Sequence, residues 1–187
     1  IPKDKEFYLS GKTDDFNYNF TWIRGHRPTM EDAHLAHRYS DDLSIFGVFD
    51  GHGGKVISHK VVEILPGIYL QLIIDYFLEN RERRKNENGM EEFDLSTTAK
   101  SKADAINFVL DKPEVLEKLL KRAFEKADRK LLSLCQAETL CQGTVAAVSI
   151  ITNNHLILAH CGDCKIHIYN NQIQNILYSR SEEHTSE

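Results

Sequence analysis

The sequence predicts an α+β fold built on an antiparallel sheet rather than on a wound parallel one. Two alternating apolar segments, 33–39 and 43–49, flank a short polar turn, which is the pattern of a β-hairpin. Segments 53–84 and 113–137 carry apolar residues at spacings of three and four, which indicates two long helices, the first of them kinked or divided at Pro66. From Gly143 onward, short apolar runs alternate with Asn-Asn turns, as they do in an antiparallel meander.

Length and composition favour one globular domain. The chain has 187 residues, of which 41% are hydrophobic and 27% are charged. A net charge of −5 argues against a nucleic-acid-binding surface. We also expect no membrane span, because the apolar runs look too short for one.

The four cysteines do not suggest a disulfide scaffold in a chain of this size. We therefore expect a reducing intracellular compartment, the cytoplasm or the nucleus. Cys161 and Cys164 have the C-x-x-C spacing of zinc and redox sites, and Cys135 and Cys141 lie upstream. A four-cysteine zinc site is thus an alternative prediction.

Acidic residues stand at both ends of the predicted hairpin. Glu31 and Asp32 precede its first strand, and Asp50-Gly51-His52-Gly53-Gly54 ends its second strand. An antiparallel hairpin brings these two places together, where carboxylates repel each other unless a cation lies between them. A hard divalent ion such as Mg²⁺ or Mn²⁺ prefers such oxygen ligands, and the Gly51 carbonyl can approach it closely. The alternative is a solvated turn beside an ordinary glycine-rich loop.

This stretch resembles the N-terminal signature of the metal-dependent protein serine/threonine phosphatases of the 2C type. The matching residues are Arg27-x-x-x-Glu31-Asp32-Ala33-His34, Phe46-Gly47-Val48-Phe49-Asp50-Gly51-His52-Gly53-Gly54, Gly143-Thr144 and Cys161-Gly162-Asp163-Cys164. The resemblance runs from about Phe20 to the end of the chain. It implies two antiparallel sheets packed as a sandwich flanked by helices, with a metal site at one edge.

The resemblance also implies a reaction and roles for single residues. A water activated by two Mg²⁺ or Mn²⁺ ions would hydrolyse phosphoserine or phosphothreonine in protein partners. The implied metal ligands are Glu31, Asp50, the Gly51 carbonyl and Asp163, with Asp32 behind them.

Two further residues are implied to act on the substrate. Arg27 would hold the phosphate, and His52 would protonate the leaving hydroxyl. From the residues alone, Arg27 could instead pair with Glu31 or Asp32, and His52 could simply orient Asp50.

The sequence departs from the family pattern in two ways. The downstream Asp-Gly-x-x-Asp and Asp-Asn motifs do not occur after Asp163. We therefore expect one domain over 1–187 that is cut before its C-terminal part and is inactive by itself. The protein is also expected to be monomeric. Cys164-Lys165 replaces the usual Ser-Arg, which leaves a non-catalytic binding module, a pseudophosphatase, as the alternative. Retention of the site residues argues against that alternative.

One segment stands apart from the rest of the predicted domain. Residues 80–102 are highly charged and contain few apolar side chains. We interpret them as a mobile insertion.

Overall fold

The computed structural model describes residues 7–12, 17–88, 98–169 and 175–178. Within these ranges the chain forms eight strands and three helices. They are β1 (Phe7–Lys12), β2 (Asn17–Trp22), β3 (Ala33–Ser40), β4 (Leu43–His52), α1 (Val56–Asn88), α2 (Thr98–Val109), α3 (Pro113–Glu138), β5 (Gly143–Thr152), β6 (Leu156–Cys161), β7 (His167–Tyr169) and β8 (Asn175–Tyr178).

The central sheet has the order β3-β4-β5-β6, and every pair in it is antiparallel. The predicted hairpin is confirmed, with Ala33 opposite Phe49. Leu43, Ile45 and Phe49 alternate along β4 and are fully buried. This period of two places one face of the sheet in the core, so the predicted α+β class is confirmed.

Helices α1 and α3 cover the buried face of the sheet. Their fully buried side chains include Leu65 and Tyr69 of α1 and Leu116 and Leu120 of α3. The Tyr69 hydroxyl donates a 3.2 Å hydrogen bond to the Leu116 carbonyl, which ties the two helices together. Burying large aliphatic side chains contributes about 1.5–3 kcal/mol each, so this layer holds the sheet in place.

The opposite face of the sheet is covered in part by β2. Alternate residues of β2 point toward it: the Tyr18 ring lies 4.9 Å from Phe46, and the Trp22 ring lies 4.2 Å from His34. Strands β1 and β2 form a two-stranded ribbon, as do β7 and β8. In the described residues the second layer of the predicted sandwich on this face is therefore a ribbon.

The observed helices differ from the predicted ones. Pro66 does not divide α1, which runs from Val56 to Asn88 with the proline inside it. Of the segment predicted to be a mobile insertion, residues 80–88 belong to α1 and residues 98–102 to α2, and its mobility stays a prediction. Residues 89–97 lie outside the described residues, as does the turn predicted at Asn170-Asn171.

By length and composition alone, Val56–Arg83 of α1 is apolar enough to cross a membrane, contrary to our expectation for the sequence. The central helix of a globular protein passes the same test. Here Leu65, Leu72 and Ile73 are buried in the common core with α3 and the sheet. About a third of the most apolar part of this stretch is buried in this way.

Candidate active site

The start of β3 and the end of β4 border a cavity of about 650 Å³. All the site residues predicted from the sequence line this cavity. They are Arg27, Glu31, Asp32, Asp50, Gly51, His52 and Asp163. The hairpin delivers five of them, because its antiparallel register places the residues before β3 beside those that end β4.

Gly51 is buried because the backbone of Glu31 lies against it. A Cβ atom at Gly51 would lie 2.8 Å from Ser58 Oγ and closer still to the Glu31 carbonyl. Ser58 is fully buried in the first turn of α1, and its hydroxyl donates to the Glu31 carbonyl. The sequence analysis assigned Gly51 a carbonyl that can approach a metal, which stays a prediction. The structure adds a second reason for glycine at this position, which is the close approach of the Glu31 backbone. Ser58 was not predicted.

The carboxyl groups of Asp32 and Asp50 lie within interaction distance of each other. Partial burial, the Asp50 carboxylate and then the Glu31 carboxylate raise the pKa of Asp32. Glu31 keeps its own carboxyl in position through Thr29, whose hydroxyl lies 3.1 Å from Glu31 Oε1. The edge of the sheet thus concentrates negative charge that a cation would relieve.

Asp163 reaches the cavity from the turn after β6. Gly162, at φ 78°, allows this turn to close on Val145, whose pairing partner in β4 is Asp50. The next residue, Cys164, lies close enough to interact electrostatically with Asp163 and Asp50. Burial first, and then Asp163 and Asp50, raise its pKa to about 11.

Arg27 is exposed at the cavity, on the loop between β2 and β3. Arg24 Nη1 donates a 3.0 Å hydrogen bond to the Pro28 carbonyl and so closes this loop around Arg27. Among the described residues, Arg27 makes no ion pair with Glu31 or Asp32, so the alternative role is not observed. Its guanidinium is available to an anion in the cavity.

His52 lies at the cavity beside the first residue of β5. The two strands pair His52 with Gly143, and a Cβ atom at Gly143 would lie 2.5 Å from His52 Nε2. The Thr144 hydroxyl donates a 2.9 Å hydrogen bond to the Asp50 carbonyl. Within the described part of the chain His52 makes no hydrogen bond to Asp50, so the alternative of His52 orienting Asp50 is not observed.

The donor set fits Mg²⁺ or Mn²⁺ in its chemistry. Carboxylate and carbonyl oxygens from three separate segments line one cavity, and hard divalent ions prefer such ligands. Among the described residues, however, no three His, Cys, Asp or Glu side chains already converge closely enough to hold a metal. The residues present supply part of a coordination shell.

The four-cysteine zinc site is not supported. All four cysteines are free, and Cys141 and Cys161 are exposed. Cys135 Sγ contacts the Gln142 carbonyl at 3.8 Å instead of other thiols. No cysteine group that could hold a metal occurs in the described ranges.

The amino-acid sequence is similar to a known protein family. The sequence model of the family "Protein phosphatase 2C" matches residues 16–187. The chain belongs to the protein phosphatase 2C family. It is 27% identical over 98% of its length to "Probable protein phosphatase 2C 4" of Paramecium tetraurelia, covering 52% of that protein. It is 29% identical to "Probable protein phosphatase 2C 27" of Oryza sativa subsp. japonica, over 75% of this chain and 33% of that protein.

The fold comparison agrees with membership of the 2C family. The crystal structure of a serine-threonine phosphatase 2C from Toxoplasma gondii superposes with a TM-score of 0.56 at 15% identity. That alignment covers 94% of this chain and 50% of the Toxoplasma chain. The chain thus spans about half the length, or less, of these 2C relatives and corresponds to the N-terminal part of the family domain.

Proposed function

We propose that the protein to which this chain belongs hydrolyses phosphoserine and phosphothreonine in protein substrates with the help of Mg²⁺ or Mn²⁺. One observation carries the proposal. An exposed arginine and four acidic residues from three separate segments line a single cavity in a 2C-family fold. A phosphate ester needs such a combination, because the cation and the guanidinium offset the charge of its oxygens.

Each residue at the cavity has a role that suits its position. Glu31, Asp50, the Gly51 carbonyl and Asp163 would hold the metal, and Asp32 would support them from behind. When bound, the metal supplies Lewis-acid chemistry and a water of lowered pKa. Without a cation in the site, the negative charge of these acidic residues would repel the phosphate group of a substrate.

Two residues would act on the phosphate ester itself. Arg27 offers a planar pair of donors for two phosphate oxygens. His52, beside Asp50 on β4, would donate a proton to the leaving serine or threonine hydroxyl.

The pseudophosphatase alternative is not favoured, because a binding module has no need of this acidic edge together with Arg27 and His52. We still expect the 187-residue chain to be inactive alone. The further carboxylate motifs of the family do not follow Asp163 in its sequence, and an incomplete ligand set weakens metal binding. We further propose phosphoproteins as the substrates and a monomer as the oligomeric state. A reducing intracellular compartment is proposed as well, because it suits the free cysteines.

The experiment is hydrolysis of a phosphothreonine peptide by the full-length protein with and without Mn²⁺. We expect Asp50→Asn to abolish Mn²⁺-dependent turnover and Arg27→Ala to lower kcat/KM by about a hundredfold. Asp41→Asn is the matched control, since Asp41 lies at the other end of the same hairpin, paired with Arg38. Turnover by Asp50→Asn equal to that of the control would contradict the proposal.

A further inference from the structure

The side chain of Gln142 connects two distant parts of the chain next to the cavity. Its Oε1 accepts a 2.9 Å hydrogen bond from the backbone N–H of Val56, the first residue of α1 and 86 positions away. The first amides of a helix have no partner within the helix. The residue before α1 is Lys55, whose side chain cannot accept a hydrogen bond, and the first turn holds no acidic residue. Gln142 therefore supplies a cap that the local sequence lacks.

The same amide group is fitted against the glycine turn that follows His52. A Cβ atom at Gly54, where φ is 136°, would lie 2.5 Å from both Cδ and Nε2 of Gln142. The Cys141 carbonyl approaches Gly53 in the same way. The turn that leads from β4 into α1 is thus shaped to the surface of residues 141–142.

The neighbours of Gln142 continue this contact into the site. Thr144 donates to the Asp50 carbonyl, and Gly143 pairs with His52 as the last pair of the β4–β5 ladder. Gln142 precedes Gly143 in the chain. Its hydrogen bond to Val56 therefore continues the contact of β5 from β4 to the start of α1. Ser58, on the first turn of the same helix, holds the Glu31 carbonyl. Gln142 is therefore linked to both acidic segments of the cavity, to Asp50 through the end of β4 and to Glu31 through the first turn of α1.

We propose that Gln142 is a positioning residue of the metal site: it fixes the Gly53-Gly54 turn and the first turn of α1, so that Asp50 and Glu31 keep their relative positions. This inference rests on the proposed function, because it assigns Gln142 to the geometry of the same cavity. Residues that orient metal ligands typically change metal affinity by about 10- to 100-fold when they are replaced.

The test compares Gln142→Met with Gln142→Glu in the full-length protein. Methionine keeps the length of the side chain but removes the acceptor, whereas glutamate keeps an oxygen for the Val56 amide. We expect Gln142→Met to weaken Mn²⁺ binding, measured by electron paramagnetic resonance of the free ion, by about 10- to 100-fold. Hydrogen exchange at the Val56 amide should become faster in this variant, and Gln142→Glu should restore both properties.

A second variant separates positioning from simple capping of the helix. Lys55→Ser, added to Gln142→Met, offers α1 a local N-cap without any link to β5. We expect it to restore thermal stability but not Mn²⁺ affinity. Recovery of Mn²⁺ affinity by Lys55→Ser would overturn the positioning role, and so would unchanged Mn²⁺ affinity in Gln142→Met. If Gln142→Met does not fold, Gln142→Ala is judged by the same two outcomes.

The result for the wild-type protein keeps the two proposals apart. Wild-type protein that takes up no Mn²⁺ would overturn the proposed function and the positioning role together. Wild-type binding with an unaffected Gln142→Met variant would overturn the positioning role alone.

Discussion

The hydroxyl of Tyr39, near the end of β3, donates a 2.9 Å hydrogen bond to the carbonyl of Pro66 in the N-terminal third of α1. Tyr39 is buried, and the burial, followed by the nearby Tyr69 hydroxyl, raises the pKa of its phenol well above the ordinary value. The neutral hydroxyl therefore stays a donor at all physiological pH values. It fastens the sheet to the helix at the one position of α1 whose residue has no backbone N–H.

Replacing Tyr39 with phenylalanine should destabilise the protein by about 1–2 kcal/mol, because the buried Pro66 carbonyl loses a donor. Urea unfolding of the full-length protein measures this change. Tyr76→Phe is the matched control, since the Tyr76 hydroxyl makes no hydrogen bond in the described structure. Equal stability of the two variants would contradict the structural role of the Tyr39 hydroxyl.

Gly67→Ala should stabilise the protein by about 0.5–1 kcal/mol. Gly67 is exposed within α1, and a Cβ atom there would meet nothing within 4 Å. Alanine removes backbone freedom from the unfolded chain and introduces no clash. The midpoint of urea unfolding should rise with an unchanged m-value, and a lower midpoint would refute the prediction.

Gly51→Ala should have the opposite outcome, although the chemical change is the same. Its Cβ atom would collide with the Glu31 carbonyl and Ser58 Oγ, and such overpacking costs about 1–3 kcal/mol. Because the collision pushes Glu31 away from Asp50, Mn²⁺ affinity should fall by at least about tenfold. Mn²⁺ titration checks this, with Gly67→Ala as the control, and wild-type affinity in Gly51→Ala would exclude the close approach described above.

Stability should decrease as the pH falls below the usual histidine pKa of 6.5, in part through His37. Partial burial, and then the ammonium group of Lys102, lower the pKa of His37 in the folded protein. Its ring also lies 4.7 Å from Tyr39. Below pH 6.5 the unfolded chain therefore binds this proton more readily than the folded chain, so protonation favours unfolding.

Comparing unfolding at pH 7.5 and 5.5 tests the contribution of His37. We expect His37→Gln to lose less stability over this range than the wild-type protein does. His26→Gln replaces another exposed histidine, on the loop between β2 and β3, and serves as the control. A loss in His37→Gln as large as in this control would rule out the assigned contribution of His37.

The fold was largely predictable where a local pattern sets it. The alternation of Leu43, Ile45 and Phe49 predicted β4, and the acids at both ends of the hairpin predicted that Glu31 and Asp50 would meet. Helix α2 was not predicted, because its first turn was assigned to the charged insertion expected over 80–102. Its buried residues Ala105, Ile106 and Val109 form too short a stripe to stand out.

Contacts that depend on tertiary structure could not be predicted in this way. Ser58 and Gln142 are ordinary polar residues in the sequence, and nothing nearby indicates their partners. They matter only because folding brings Ser58 to the Glu31 carbonyl and Gln142 to the Val56 amide. Pro66 was expected to kink or divide its helix, but burial of residues on both sides of it keeps α1 continuous.

The position of β4 between β3 and β5 has a consequence for how the protein is made. Strand β3 is the immediate neighbour of β4 in the chain, whereas Thr144 lies 94 residues after Asp50, its hydrogen-bond partner across the β4–β5 ladder. During synthesis the hairpin can form early, but its second edge stays unpaired until three helices have left the ribosome. Strands that are far apart in the sequence pair slowly, and an unpaired strand edge can form hydrogen bonds with strands of other chains. The acidic cavity is therefore completed late, and until then the unpaired edge of β4 is open to aggregation.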